Sequence, residues 1–185
     1  MIATRSEQQV GELVRELREA RRLSVRTLAA QAGFSPSFIS QVENEQASPS
    51  IASLERIATA LGVTLGEFFQ ATEARTSLVV KESKRPRLES AWSKAKVEAL
   101  GVQHSKIEPV LITLGPGGSS GKKPQPHARE EFALVLSGKV TLVLDGEEQV
   151  LQHGDAATIP VQRSRRWFNH TAESTEILVI SVRFP

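Results

Sequence analysis

Residues 23–44 read LSVRTLAAQAGFSPSFISQVEN, and this stretch decides the N-terminal fold. Ser24 stands where a helix cap belongs, with Val25, Leu28 and Ala29 on one apolar side and Gly33 at the stop. A second helix begins at once. Ser35 supplies its cap and Pro36 its first position, where φ is pre-set and no N–H is needed. Ile39 and Val42 point inward, and Phe34 packs just ahead of the cap. Ser37, Ser40, Gln41 and Asn44 lie three and four apart, so they share one face. A short helix offering small and amide side chains over a packed apolar base suits the DNA major groove.

The helical period extends on both sides. Val10, Leu13, Val14, Leu17 and Ala20 form a stripe, with Glu12, Arg15, Glu16 and Arg18 between them. Downstream, Ser48-Pro49-Ser50 marks a loop and a new cap, and Ile51, Leu54, Ile57, Ala58 and Leu61 make another stripe ended by Gly62. A last turn over Thr64–Phe69 adds Leu65, Phe68 and Phe69. The first 70 residues therefore read as a compact bundle of five helices.

The pattern then changes from a period of 3.6 to a period of 2. A small, polar linker is expected over residues 71–77, and short strand-like runs follow. These runs are Leu78–Lys81, Pro109–Leu114, Phe132–Leu136, Val140–Leu144, Gln149–Leu151, Ala156–Ile159 and Glu176–Arg183. Turn signals separate them: Gly115-Pro116-Gly117-Gly118, Ser137-Gly138, Asp145-Gly146 and His153-Gly154-Asp155. Closely spaced short strands indicate a sandwich or small barrel over residues 78–185. Lys96–Leu100 alternates like an edge strand, although Ala91–Ala99 also passes as a helix. The fold class expected is α+β in two domains, all-α and then all-β.

With 185 residues the chain has room for two small domains. It contains no cysteine, which excludes disulfides and thiolate metal sites. MIATRSEQQV lacks an apolar signal core and no run reaches membrane-spanning length, so a cytoplasmic location is expected. The net charge of +2 does not describe a protein coated for polyanions, and residues 1–72 are slightly acidic. Binding to DNA must then rest on locally placed residues and on two subunits acting together.

Residues 10–69 resemble the phage-repressor (XRE) type of helix-turn-helix. The resemblance is carried by Leu28-Ala29, Gly33, Ser35, Ile39-Ser40, Val42-Glu43-Asn44 and Ala60-Leu61-Gly62-Val63. It implies a double-stranded DNA partner. It sets Ser37 and Gln41 where base edges are read, with Ser35, Pro36, Phe38 and Ser40 close to the same groove. Glutamine can donate and accept together at adenine, and Phe38 can touch a thymine methyl. Arg26 and Asn44 become backbone contacts, which fix register but not sequence. The resemblance also implies a structural pair between Arg18 and Glu43. The reading helix departs from strong DNA binders in carrying no Lys or Arg between Ser35 and Asn44, so one copy should bind weakly.

The C-terminal segment resembles a cupin barrel, that is, a double-stranded β-helix. In the first cupin motif Gly138 and Glu131 fit, and counting back assigns His127 to the second histidine and Gln125 to the first. A rival register begins at Gly121, makes His127 the first histidine and puts Arg129 second, but leaves no acid at the right distance. In the second motif Gly154, Pro160 and Asn169 match, while Gln162 and Arg165 replace the glycine and histidine. A cupin metal takes three imidazoles and a carboxylate. Here two of those four are missing, and one is a guanidinium that cannot lose its proton. Neither a metal nor another cofactor is therefore expected. Arg165 should pair with Glu131 or accept an anionic ligand, with Trp167 on the same strand face.

Three readings of this pocket compete: a filled barrel serving dimerisation, a sensor for a small anionic metabolite, and a metal enzyme. The sensor is preferred, with Gln125, His127, Glu131, Arg165 and Trp167 as candidate ligand residues. His104, His153 and His170 read as surface or loop histidines. The whole chain is expected to be a dimeric transcriptional regulator on a palindromic operator, a repressor and not an enzyme. The alternative is an iron-dependent epoxidase of the same two-domain build. Against it stand Arg165 at the third ligand position and the absence of tyrosine.

Overall fold

A computed structural model of the chain describes residues 10–65, 68, 78–90, 93–102, 105–126 and 129–182. Four α-helices are bounded in the head: α1 (Val10–Ala20), α2 (Val25–Ala32), α3 (Pro36–Glu43) and α4 (Ile51–Ala60). Each of the last three is capped as the sequence dictates. The hydroxyls of Ser24, Ser35 and Ser50 accept from the backbone N–H groups of Thr27, Phe38 and Ser53 at 3.0, 3.1 and 3.1 Å. Gly33 closes α2 at φ 67°, a left-handed conformation that only glycine adopts without strain.

Among the described residues four α-helices are bounded, where five were expected. Leu65 and Phe68 are helical, and Phe68 N donates to Thr64 O at 2.8 Å, but no further bounded helix is found among the described residues. Phe68 is fully buried, and residues 66, 67, 69 and 70 lie outside the described residues. The expected linker, 71–77, lies outside the described residues.

The four helices close on Val14, Leu28, Ile39, Val42, Leu54, Ile57 and Leu61, all fully or almost fully buried. Helix α1 crosses α3 at Gly11. A Cβ there would lie 2.2 Å from the carbonyl oxygen of Val42, which is backbone and cannot swing aside. Gly11→Ala should therefore push α1 off α3, at a cost of about 2 kcal/mol, comparable to overpacking elsewhere. A thermal melt checks this. An unchanged melting temperature would mean that the crossing is looser than the geometry requires.

Among the described residues the barrel shows ten antiparallel strands. They are β1 (Arg87–Ser90), β2 (Ala95–Ala99), β3 (Ile107–Leu114), β4 (Gln125–Pro126), β5 (Glu131–Ser137), β6 (Lys139–Leu144), β7 (Glu147–Gln152), β8 (Ala156–Ile159), β9 (Ser164–Phe168) and β10 (Thr175–Val182). One sheet runs β1-β2-β3-β10-β5-β8 and the other β4-β9-β6-β7. Asp145 and Gly146, both at positive φ, make the tight turn from β6 to β7. Between the sheets lie Val97, Ile112, Leu114, Val135, Val140, Leu142, Ile159, Trp167, Ile177 and Val179.

Two expectations fail here. Leu78–Lys81 forms no strand: Leu78 and Val79 are exposed, and the chain passes into a 3-10 turn at Glu82–Lys84 before β1 begins. Apolar residues alone do not make a strand where no neighbouring ladder offers a place. The Lys96–Leu100 run is a strand, β2, but an interior one, hydrogen-bonded to both β1 and β3. The helical alternative over Ala91–Ala99 falls with it.

The head sits on the barrel through the N-terminal turn of α4. The Ala52 N–H, which has no partner within its own helix, donates to Ser120 O at 3.0 Å. Ser120 is itself fixed to β9, since its N–H donates to Trp167 O and its hydroxyl accepts from Trp167 N, both at 3.0 Å. No helix among the described residues is long and apolar enough to cross a membrane.

Candidate functional site

Helix α3 presents Ser37, Gln41 and Asn44 to solvent, while Phe38 and Ser40 are half-buried. Phe38 stacks against Phe34 with ring centroids 4.8 Å apart, and the Arg56 guanidinium lies over Phe34 at 4.3 Å. Arg56 also donates to Gly33 O at 3.0 Å, bracing the turn that aims the helix. Asn44 is held at the helix end: its Oδ1 accepts from Arg15 at 2.7 Å and its Nδ2 donates to Ser40 O at 2.9 Å. Ser35 is committed to its cap, and Arg26 is exposed on α2.

A buried ion pair locks this assembly. Arg18 on α1 donates through Nε and Nη2 to the two oxygens of Glu43 on α3, at 2.6 and 2.8 Å. Its Nη1 donates to Leu23 O at 3.0 Å, drawing in the approach to α2. The hydrogen bond to Glu43 raises the Arg18 pKa against the opposing effect of burial. The structural pairing of these two residues is as the sequence implied.

A second candidate site lies between head and barrel. A cavity of about 210 Å³ has Glu55, Thr59, Val63 and Thr64 on the head side. Its barrel side holds Glu108, Val110, Ile112, Arg129, Glu131, Arg165, Val179 and Ser181. Arg165 on β9 faces Glu131 on β5 and grips both its oxygens, through Nε to Oε2 and through Nη2 to Oε1 at 2.8 Å. The same Nη2 donates to Glu55 Oε1 at 3.1 Å, across the domain boundary. Burial works against the Arg165 charge, but Glu131 and Glu55 outweigh it and raise the pKa. Beside this triad Arg129 donates to Glu108 at 2.8 Å.

Glu131 and Arg165 are thus brought together as expected. Gln125 lies opposite Arg165 in the β4–β9 register, and Trp167 is wholly buried, but neither lines the cavity. His127 and His104 lie outside the described residues. His153 donates from Nδ1 to Leu136 O at 2.8 Å in a turn, and His170 stacks on Phe168. Sequence reasoning missed Glu55, which sits one position beyond Leu54 of the α4 core stripe and reads as solvated.

A cupin-type metal does not fit this donor set. Both oxygens of Glu131 are taken by Arg165, Glu55 shares the same guanidinium and Glu108 is paired with Arg129, and a fixed cation opposes a second one.

The helix-turn-helix family profile matches residues 14–68, and the cupin domain profile matches residues 110–181. The chain is 27% identical over 151 residues to the HTH-type transcriptional regulator PuuR of Escherichia coli K12, covering 80% of this chain and 81% of that one. It also resembles the crystal structure of an HTH-family transcriptional regulator from Vibrio cholerae, with TM-score 0.74, 23% identity and 96% of each chain covered. A structure of iron(II)-loaded HppE is similar at TM-score 0.51 and 18% identity, over 95% of this chain and 99% of that one. These last two likenesses are of fold.

Proposed function

Since the chain belongs with the XRE-type helix-turn-helix transcriptional regulators that carry a C-terminal cupin domain, we propose that it binds a palindromic operator as a homodimer and represses under the control of a small anionic metabolite. The exposed Ser37 and Gln41 on a capped, braced α3 carry the DNA-reading part of this proposal. They read base edges, Ser35, Pro36, Phe38 and Ser40 lie close to the groove around them, and Arg26 and Asn44 set register on the phosphates. Asn44 does so while held by Arg15, which brings a cation to the same edge. Repression follows if a dimer seated on its operator obstructs the promoter.

Dimerisation is assigned to the outer face of the six-stranded sheet. There Leu178 pairs with Leu111 and Leu134, Ile180 with Pro109 and Phe132, and Val182 with Ile107, in one apolar grid. Phe132, Leu136, Ile107 and Val182 are exposed in the single chain. Such a contiguous patch marks an interaction surface. Two copies would set their reading helices about 34 Å apart, one turn of duplex.

The metabolite is assigned to the seam cavity, with Glu131 and Arg165 as its floor; Gln125, paired with Arg165 across β4 and β9, and Trp167, two residues along β9, flank Arg165 without lining the cavity, and His127 lies outside the described residues. Ile180→Asp should convert the protein to a monomer by analytical ultracentrifugation while its melting transition survives. Duplex binding at fixed salt should fall with it. A dimer that persists in Ile180→Asp would contradict the assignment of this face.

A further inference from the structure

We propose that an oxyanion effector enters the seam cavity by taking the place of the Glu55 carboxylate on Arg165, so releasing the head from the barrel; this rests on the sensing role given above and adds where the anion binds and how the head responds. Two carboxylates share one buried guanidinium, but not equally. From Arg165, Glu131 takes two arms of the fork and is 3% exposed, whereas Glu55 takes one, Nη2 at 3.1 Å, and is 13% exposed. Glu55 also comes from the other domain, so it can leave without disturbing the barrel. Of the two it is the replaceable partner.

The exchange is one anion for another. As the Glu55 carboxylate turns out to water, the incoming carboxylate or phosphate restores the same charge beside Arg165, and no uncompensated ion is left buried. A cation would instead have to drive Arg165 from both oxygens of Glu131. The cavity volume of about 210 Å³ limits the occupant to a small molecule. The Ser181 hydroxyl lines it on the barrel side, while Val63, Val110 and Val179 offer a short apolar wall.

The head is positioned to respond. Glu55 lies about one turn beyond Ala52, whose N–H is held by Ser120 O. Those two contacts fix α4 on the barrel at two points along its axis. Losing Glu55 leaves Ala52 as a pivot, and α4 carries with it the helices packed against it, including α2 beside the reading helix. Anion affinity and head freedom are thereby linked, as linkage requires of any effector that favours one of two states.

The test uses the full chain with acetate and inorganic phosphate as probes, titrated at constant ionic strength against chloride. Calorimetry gives affinity, and amide exchange reports α4. In Glu55→Ala the competing carboxylate is gone, so the better probe should bind roughly tenfold tighter than to wild type. In wild type that probe should speed exchange in the turn Glu55–Ala60 to the level Glu55→Ala shows without it. Glu55→Gln should behave as Glu55→Ala does, and Arg165→Lys should bind more weakly. Preference for acetate identifies a carboxylate effector and preference for phosphate a phosphorylated one; both support the exchange. Binding that needs Arg165 but is equal in wild type and Glu55→Ala overturns the exchange and leaves the sensing role standing. Absence of binding in wild type and Glu55→Ala alike overturns both.

Discussion

Replacing Gln41 by alanine should cost the protein its preference for operator over random duplex, by about 1–3 kcal/mol for each reading helix. Gln41 is exposed on α3 and has no role in the head's core, so its amide is available to a base edge. Alanine keeps the helix, being its best former. Non-specific binding comes from phosphate contacts that this change leaves intact, so only the ratio should fall. With two copies on a symmetric site the losses add to about 4 kcal/mol, roughly a thousandfold, if each contributes near the middle of that range. Competition anisotropy at one salt concentration measures the ratio, and the melting temperature of the variant must match wild type. An unchanged ratio would remove Gln41 from the reading set.

The largest effect on stability is expected from Arg18→Ala, about 3 kcal/mol or more. Glu43 is almost fully buried, and Arg18 supplies bidentate bonds to it while also holding Leu23 O. Removing the guanidinium leaves a carboxylate in the α1–α3 seam with Arg15 near it, at 3.6 Å. That contact is half exposed to solvent and replaces little of what is lost. The damage should fall on the head, so calorimetry should show its transition lowered while that of the barrel holds. Replacing the pair together, Arg18→Met with Glu43→Leu, should recover most of the loss, since a buried pair exchanged for apolar groups is often neutral. If Arg18→Ala melts as wild type does, the pair is ornamental and the head is held by its apolar core alone.

The head was legible because its signals are local. Ser24, Ser35 and Ser50 each cap the helix that follows, and the three/four spacing of Leu28, Ile39, Val42, Leu54 and Ile57 names the buried face. The barrel was less so. Strands of two to five residues, such as β1, β4 and β9, carry too few alternations to stand out, and their place depends on ladders formed with residues far along the chain. Leu78 and Val79 show the converse, an apolar run with no strand. At the site, the Glu131–Arg165 pair could be read from motif positions. Glu55 could not, because its meeting with Arg165 spans 110 residues and crosses from one domain to the other. No periodicity reports a contact of that kind.

Two α3 helices, joined through the barrels, are proposed to read a symmetric operator. Selection of duplexes from a random pool by the full chain at fixed salt, followed by footprinting of the enriched sequence, tests this directly. An enriched inverted repeat is expected, its half-site centres about 10 bp apart, with protection on one face of the duplex. A pool that emerges without a repeat, bound no better than random duplex, would contradict this reading.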